Sequence, residues 1–354
     1  MIFVGDIAIP YPNAVKFEGF PEDLSGKMWL GNLEGALINN QDNNTEPPDI
    51  GGVFNDFTAI KNMTNKFNYI GFALANNHIL DIGSYPETKE NLNLLNVKWC
   101  GIGENITEAC KPLVIKEYDI EIIIVNLGWE VIQCNIAGKH KKGVAPLTKE
   151  NALKILANVK HEKPNANIIF FMHWSYELEA HPQPRERELA KVLIDNGADG
   201  IIGAHPHRIG EFEIYKGKPI LYSLGNWMFK QNYYFNGRSI FPDFCNKEIA
   251  FEWDFQNDTM KIHHFVYEKK RSVLSYVSTD TFDENYVSRN SLIYKLTNQE
   301  YKKYYKKNHY HRNKGLPIYY WEDSELIILF KNQVNKLRDK ILLFIIKIIY
   351  FYAK

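Results

Sequence analysis

The sequence predicts an α/β sandwich of mixed β-sheets with helices on its outer faces, and three observations carry that expectation. Short apolar runs, many of them β-branched, recur from the first residues to about position 270. Each suits a buried strand better than a helix. Between them lie segments with apolar residues at helical spacing. The order opens as strand–helix–strand and closes in an antiparallel hairpin, which favours a mixed, sheet-rich architecture. At 354 residues the chain is long enough for one large domain, or one domain plus an appendage.

Ile2–Ile9 reads as a strand stopped by Pro10, with Gly5 and Asp6 in or just past its apolar part. The glycine beside the carboxylate is read as leaving space for a ligand near the backbone. Lys27–Asn32 runs into Asn32-Leu33-Glu34-Gly35. Residues 39–52, rich in Asn, Asp, Pro and Gly, form a loop. Phe57, Ile60, Met63 and Phe67 mark a helix over Asn55–Phe67, with Asn55 as its cap. Tyr69–Ala75 is a buried strand that stops at Asn76-Asn77-His78, with Asp81 and Gly83 close behind. Ser84 and Glu87 suggest a capping box for a helix reaching Leu95. Val97–Ile102, Leu113–Tyr118 and Ile120–Leu127 are strands, and Thr148 caps a helix to Val159. Asn167–Met172 leads into His173-Trp174, and Pro184–Asn196 is a helix stopped by Gly197. Gly200–Gly203 runs into Ala204-His205-Pro206-His207. Two more strands follow, Glu211–Tyr215 and Pro219–Ser223, the latter continuing as Leu224-Gly225-Asn226. Glu248–Phe255 and Lys261–Tyr267 alternate as a hairpin across Gln256-Asn257-Asp258.

Composition shifts after about Ser278, which sets a boundary between a domain over 1–278 and an appendage over 279–354. Formal net charge is zero, yet Arg289–Lys354 holds 14 Lys and Arg against 5 Asp and Glu. Such asymmetry suggests a basic appendage that meets something anionic. Leu326–Tyr352 reads as one long helix whose final ILLFIIKIIYFY is too short to span a bilayer. It suits an interfacial helix, with Lys331, Lys336, Arg338, Lys340 and Lys347 meeting anionic lipid, or a helix docked on the domain or in a dimer interface. The basic, aromatic stretch KKYYKKNHYHR is weak ground for nucleic-acid binding, so nucleic acid is not an expected partner. Four cysteines without paired spacing read as reduced thiols. With no secretory signal at the N-terminus, the expected location is cytoplasmic, at most peripheral to the inner membrane face.

The chemistry sits where apolar strands stop. Asp6, Glu34, Asn77, His78, His173, His205 and His207 form a mixed oxygen and nitrogen set, and such donors suit first-row divalent metals. His205 and His207 are two apart, so in extended backbone both imidazoles would share one face. Seven candidates exceed the ligands of a single zinc site and point toward a dinuclear hydrolase, in which metals neutralise charge at a phosphoryl or carbonyl centre. Glu177 is placed to accept a hydrogen bond from a metal-bound imidazole, and Asn226 to orient the loop or a substrate. No phosphate-binding P-loop, dinucleotide GxGxxG or GxSxG elbow is present.

GD at 5–6, NLEG at 32–35, LANNHILDIG at 74–83, GIGEN at 101–105, HWSYEL at 173–178, LAKVLIDNGADGIIGAHPH at 189–207 and YSLGNW at 222–227 resemble, over roughly residues 1–270, the bacterial capsule-synthesis, poly-γ-glutamate biosynthesis family. That family is related to calcineurin-like metallophosphatases, so the resemblance implies two central sheets flanked by helices. It implies metal positions at Asp6, Glu34, Asn77, His173, His205 and His207, with one or two divalent ions such as Mn, Zn or Fe. It implies His78, beside the ligand Asn, as the group that protonates a leaving group or steadies the transition state, and Glu177 as the family's acidic position after HW; Asn76, Asp81, Glu177 and Asn226 are read as substrate-facing or supporting residues. The implied function is a metal-dependent hydrolase, phosphoesterase-like, in synthesis or export of a surface polymer. The alternative is a non-catalytic accessory subunit of a membrane polymer-synthesis complex. Implied partners are a polymer or its precursor and a membrane surface or synthase. Three positions depart from the pattern. Ile7-Ala8 follows Asp6, so Asp-x-His is missing; Ser175 replaces a usual Gly; Ala204 replaces a frequent first His.

Overall fold

The computed structural model describes residues 1–39, 50–82 and 85–352, without the side chains of 343–352. Most of the loop expected over 39–52, together with Gly83 and the Ser84 cap, lies outside the described residues. In chain order the strands are β1 (Ile2–Ala8), β2 (Lys16–Glu18), β3 (Met28–Leu33), β4 (Ala36–Ile38), β5 (Phe54–Asp56), β6 (Asn68–Ala73), β7 (Lys98–Cys100), β8 (Ile102–Gly103), β9 (Leu113–Glu117), β10 (Ile120–Gly128), β11 (Gly143–Val144), β12 (Asn167–His173), β13 (Gly200–Ala204), β14 (Phe212–Tyr215), β15 (Lys218–Leu221), β16 (Asn226–Phe229), β17 (Lys247–Asp254), β18 (Thr259–Glu268) and β19 (Val273–Thr281).

One sheet runs β2-β19-β18-β17-β1-β3-β6-β7, with β16 also beside β1; the other runs β14-β15-β13-β12-β10-β9. Each has a parallel centre, β1-β3-β6-β7 and β10-β12-β13-β15. Their antiparallel margins include β17–β18–β19 in one and β9 and β14 in the other. Alternation along the strands decides the layers. Phe3, Ile122, Ile124, Ile169 and Phe171 fill the space between the sheets. Ile2 and Val4 turn outward to a core shared with Ile60 and Met63 of the helix Phe57–Lys66. Ile123, Val125, Phe170 and Met172 turn the other way, toward Leu156 and Leu193 of the helices Lys149–Glu162 and Pro184–Asp195. The result is the expected sandwich of two mixed sheets flanked by helices.

Several local expectations change. Asp56, not Asn55, caps the helix Phe57–Lys66, accepting from Ala59 N–H. Asn55 is buried in β5 instead. Asn226 begins β16 rather than ending a strand. The compositional break near Ser278 falls inside β19, so no linker begins there. Thr148 caps its helix as expected, accepting from Asn151 N–H.

The C-terminal residues pack against the sandwich. Tyr301 and Tyr305, from the helix Asn298–Asn308, enter the core outside the second sheet. Arg187 anchors this corner. Its guanidinium donates to both Glu213 oxygens, at 2.8 and 2.6 Å, and to the carbonyls of Ile293 and Leu296. A buried charge needs such complete pairing. The helix Glu325–Tyr352 buries Asn335, whose amide donates to Tyr176 Oη and Tyr319 Oη, each at 3.0 Å. Leu326, Phe330, Leu337 and Ile341, half a turn away from Asn335, stay exposed. No helix among the described residues is long and apolar enough to cross a membrane.

Candidate functional site

The parallel strands of both sheets bring their carboxyl ends together, the usual place for a ligand in open α/β sheets. Asp6 stands on β1 where its partner changes: Ile2–Val4 pair with β17, whereas Asp6 and Ala8 pair with β16. Gly5 marks this crossing. A Cβ there would lie 1.8 Å from the Gly225 carbonyl oxygen. The glycine therefore admits backbone, not a ligand, contrary to the sequence reading. Asp6 Oδ1 accepts from Asn32 Nδ2 (2.8 Å) and Oδ2 from His205 N–H (3.1 Å). Glu34 follows β3, and Asn55 Nδ2 donates to its carbonyl at 2.8 Å.

His207 completes a compact group with these carboxylates. Its Nδ1 is 3.4 Å from Asp6 Oδ2 and its Nε2 is 3.7 Å from Glu34 Oε1. Among the described residues, Asp6, Glu34 and His207 are the group whose His, Asp and Glu donor atoms lie within 4.8 Å of one another. His207 thus brings an imidazole to Asp6, where Ala8 offers none. Asn226 Oδ1 accepts from His207 Nδ1 at 2.9 Å, which leaves Nε2 for the Glu34 side. That is how an outer partner sets a metal-binding tautomer.

Beside this group stand His173 and His205, their rings 4.9 Å apart. His173 Nε2 donates to Asn77 Oδ1 at 2.8 Å. His205 and His207 do not share an extended strand. Both have positive φ, 97° and 56°, so the turn after β13 aims the rings, not a strand's alternation. Asn76 fixes the neighbouring turn, donating to Leu33 O and accepting from His78 N–H. Asp81 Oδ2 accepts from His78 Nδ1 at 2.7 Å, and His78 Nε2 faces Glu34 Oε1 at 3.7 Å. Glu177 makes no hydrogen bond to these imidazoles; it lines the mouth instead, with its carbonyl accepting from His311 Nε2. His181 stands apart, paired with Glu211 at 2.9 Å.

Burial sets the electrostatics. It pushes Asp6 up to about 7 and Glu34 well above the carboxylate range, where Asp6 raises it further. It pushes His207 down to about 3 and His173 and His205 well below the imidazole range. Glu177 is solvent-reached at the mouth, yet surrounding protein still raises its carboxyl. Two adjacent buried carboxyls beside neutral imidazoles therefore need a proton or a bound cation to offset their charge. Both Glu34 oxygens, His173 Nδ1 and His205 Nδ1 are buried with no hydrogen-bond partner. Orphaned acceptors of this kind in a mixed oxygen and nitrogen set fit a divalent cation.

The group opens on a cleft of about 470 Å³ reached by Asn77, His78, Glu177, His205 and His207. Sequence reading missed the buried amides that brace it. Asn126, the buried polar residue within β10, accepts from Ala75 N–H and donates to Phe171 O, tying the two sheets together. An Asn within the run IEIIIVNLG was the available signal. The cleft also takes His311, Lys314, Asn335 and Arg338 from the C-terminal residues.

The fold and site together define a two-sheet α/β sandwich with a candidate metal centre at its parallel strand ends. The chain belongs to the bacterial capsule synthesis protein PGA_cap family, whose profile matches residues 23–231. It is 32% identical over 165 residues to the capsule biosynthesis protein CapA of Bacillus anthracis, covering 45% of this chain and 40% of that protein. It is 31% identical over 171 residues to the PGA biosynthesis protein CapA of Bacillus subtilis, covering 47% of this chain and 44% of that one. The matched stretch spans less than half the length of either relative. A probable polyglutamine synthesis accessory protein of Mycobacterium tuberculosis is 32% identical over 165 residues, 44% of this chain and 43% of that protein. The 5'-nucleotidase precursor of Thermus thermophilus aligns at 12% identity over 71% of this chain and 45% of its own. Its TM-score of 0.34 is too low to bear on function.

Proposed function

We propose that this chain is a metal-dependent hydrolase of phosphoesterase type, acting in synthesis or export of a capsular polymer, poly-γ-glutamate or polysaccharide. The supporting observation is the buried Asp6–Glu34–His207 group with its orphaned acceptors, opening on a cleft beside His78. Asp6, Glu34 and His207 would hold a divalent ion, Mn, Zn or Fe by donor type, with Asn77, His173 and His205 available to a second. Such an ion supplies Lewis acidity and lowers the pKa of water. His78, oriented by Asp81, would deliver a proton to the leaving group. Asn76 and Asn226 hold the ligand-bearing turns, and Glu177 stands where substrate enters.

Elemental analysis after metal-replete purification is the first test, followed by hydrolysis assays on phosphoester and γ-glutamyl amide substrates. Stoichiometric metal and turnover lost in His78→Ala are expected. A folded chain that takes up no metal overturns the hydrolase reading. The second reading, an accessory subunit without catalysis, draws support from Ala8 and from the name of the mycobacterial relative. It predicts that His78→Ala and His205→Ala both keep polymer production in cells.

For location, the exposed stripe of Leu326, Phe330, Leu337 and Ile341, flanked by Lys336 and Lys340, favours an anionic bilayer surface on the cytoplasmic side. Flotation with phosphatidylglycerol vesicles, lost in Phe330→Glu, is the expected result. Equal recovery with neutral vesicles, or concentration-dependent dimers and no flotation, would overturn it.

A further inference from the structure

The cleft has two walls of different origin. One is built mostly from residues that match the family profile, with Phe235, Arg238, Ser239 and Phe241 just past its end. The other comes from His311, Lys314, Leu316, Asn335, Arg338 and Asp339, which lie beyond them. This second wall is tied to the loop after His173. Tyr176 Oη donates to Pro317 O at 2.9 Å and accepts from Asn335 Nδ2. His311 donates to Glu177 O, and Tyr310 N–H donates to Glu179 Oε2 at 2.7 Å. Ser175 and Leu178 in that loop have φ of 67° and 63°, so the C-terminal residues brace a strained segment.

The same wall carries cations. Lys314 is exposed with its ammonium 5.4 Å from the Tyr310 ring centre. Arg338 is half-buried and meets its neighbour Asp339 at 3.3 Å. Arg238 lines the same cleft from the other wall. A uniformly basic trough would take any anion. Here Glu177 and Asp339 line the same cleft, and Asp339 pairs with Arg338, so the wall favours a ligand that brings more than one negative group over a single small anion.

We infer that residues 311–339 form an anion-binding half of the cleft, in which Lys314 and Arg338 hold one carboxylate or phosphate of an extended ligand while another part of it lies at the Asp6–Glu34–His207 group. The ligand class is a chain with at least two spaced anionic groups. This rests on the proposed function only for the second point of contact. Guanidinium and ammonium groups at a partly desolvated wall suit such groups, Arg by paired hydrogen bonds and Lys as a point charge.

The test uses the full chain loaded with Mn(II) and calorimetric titration of γ-linked hexaglutamate, the neutral hexaglutamine analogue and tripolyphosphate. Hexaglutamate should bind at least about tenfold tighter than hexaglutamine. Lys314→Met/Arg338→Met should weaken it by about tenfold or more and flatten its salt dependence, as removal of charge partners does. Metal content should not change, and Lys314→Arg/Arg338→Lys should restore binding. Lys314→Met alone, at an exposed position, should show part of the loss with an unchanged melting temperature. Tighter tripolyphosphate binding, lost in the same variants, would support the site with phosphate as the preferred group. Equal affinity for hexaglutamine, or unchanged affinity in the double variant, overturns the inference. If the chain takes up no metal but the double variant still loses hexaglutamate, the metal reading falls and this one stands. If metal binds and the double variant is silent, the reverse holds.

Discussion

The carboxylate and imidazole sides of the candidate centre solve burial differently. Asp6 is locked inside a strand, with a donor on each oxygen, whereas Glu34 beside it has no donor at all. The imidazoles sit at a strand end and on left-handed turns, and burial keeps them neutral. The histidines therefore cannot balance the carboxylates. The difference teaches that the two sides share a need for positive charge, from a proton or a bound cation, that neither side meets alone. The largest expected effect tests this. Glu34→Gln should lower Mn(II) or Zn(II) affinity by about 100-fold or more, beyond what loss of an outer partner costs, while raising the stability of the metal-free chain by roughly 1–3 kcal/mol because an orphaned buried carboxylate is removed. Calorimetric titration and urea unfolding read the two signs. Loss of stability without loss of affinity would break the comparison.

The two sides also share one mechanical dependence, at the crossing of Gly5 over Gly225. Gly5→Ala would put a Cβ within 1.8 Å of a backbone oxygen that cannot swing away. We expect a loss of about 3 kcal/mol, at the upper end of overpacking costs, seen as a lower urea midpoint with unchanged slope. Metal affinity should fall as well, since β1 and β16 carry Asp6 and Asn226. An undisturbed midpoint would mean that the strands part without consequence for the centre.

A third buried carboxylate sharpens the contrast from outside the site. Glu248 on β17 is buried, with one oxygen accepting from Met228 N–H at 3.4 Å and the other unpartnered. It has no imidazole cluster around it, and burial pushes it up to about 8 from an ordinary 4.5. Here a proton, not a metal, supplies neutrality. The sign follows from linkage. Below pH 4.5 both folded and unfolded chains hold the proton, so there is no penalty. Between about 4.5 and 8 the unfolded chain releases it first, and folding loses stability as pH rises; above 8 the penalty is complete. Glu248→Gln should therefore gain roughly 1–2 kcal/mol over the parent at pH 8 and nothing at pH 4, in parallel urea titrations. A constant difference across that range would assign the effect to packing.

What the sequence made legible follows from where polarity interrupts an apolar run. Asp6, Glu34, Asn77, His173 and His205 all stand at or just past buried strands, and parallel strands must bring such ends together. The apolar runs of β10 and β12 were legible as strands buried on both faces, which a sheet covered on each side by other layers requires. Less legible were features set by tertiary contact. Asn32, Asn55 and Asn126 look like turn or strand polar residues until a second strand supplies their partners. The left-handed turns at His205 and His207 have no glycine to announce them. The C-terminal wall was hidden because His311 lies in a stretch that read as basic and aromatic and Asn335 and Arg338 in one that read as a long helix; contacts with Tyr176 and Glu177, more than 130 positions away, are what turn these residues toward the cleft.

The smallest effect concerns the loop between the imidazole side and that wall. Ser175 holds φ at 67° while its N–H donates to Glu186 Oε1 at 2.8 Å. A side chain is disfavoured in that region and glycine is not, which gives a physical reason for the glycine that the resemblance leads one to expect there. Ser175→Gly keeps the N–H and relieves the backbone, so stability should rise by about 0.5–1 kcal/mol, with metal affinity unchanged because His173 is fixed by β12 and Asn77. Should stability fall instead, the hydroxyl would be contributing more than the strain costs. A fall in metal affinity would mean that the loop, and through it residues 311–339, helps to hold the imidazole side in place.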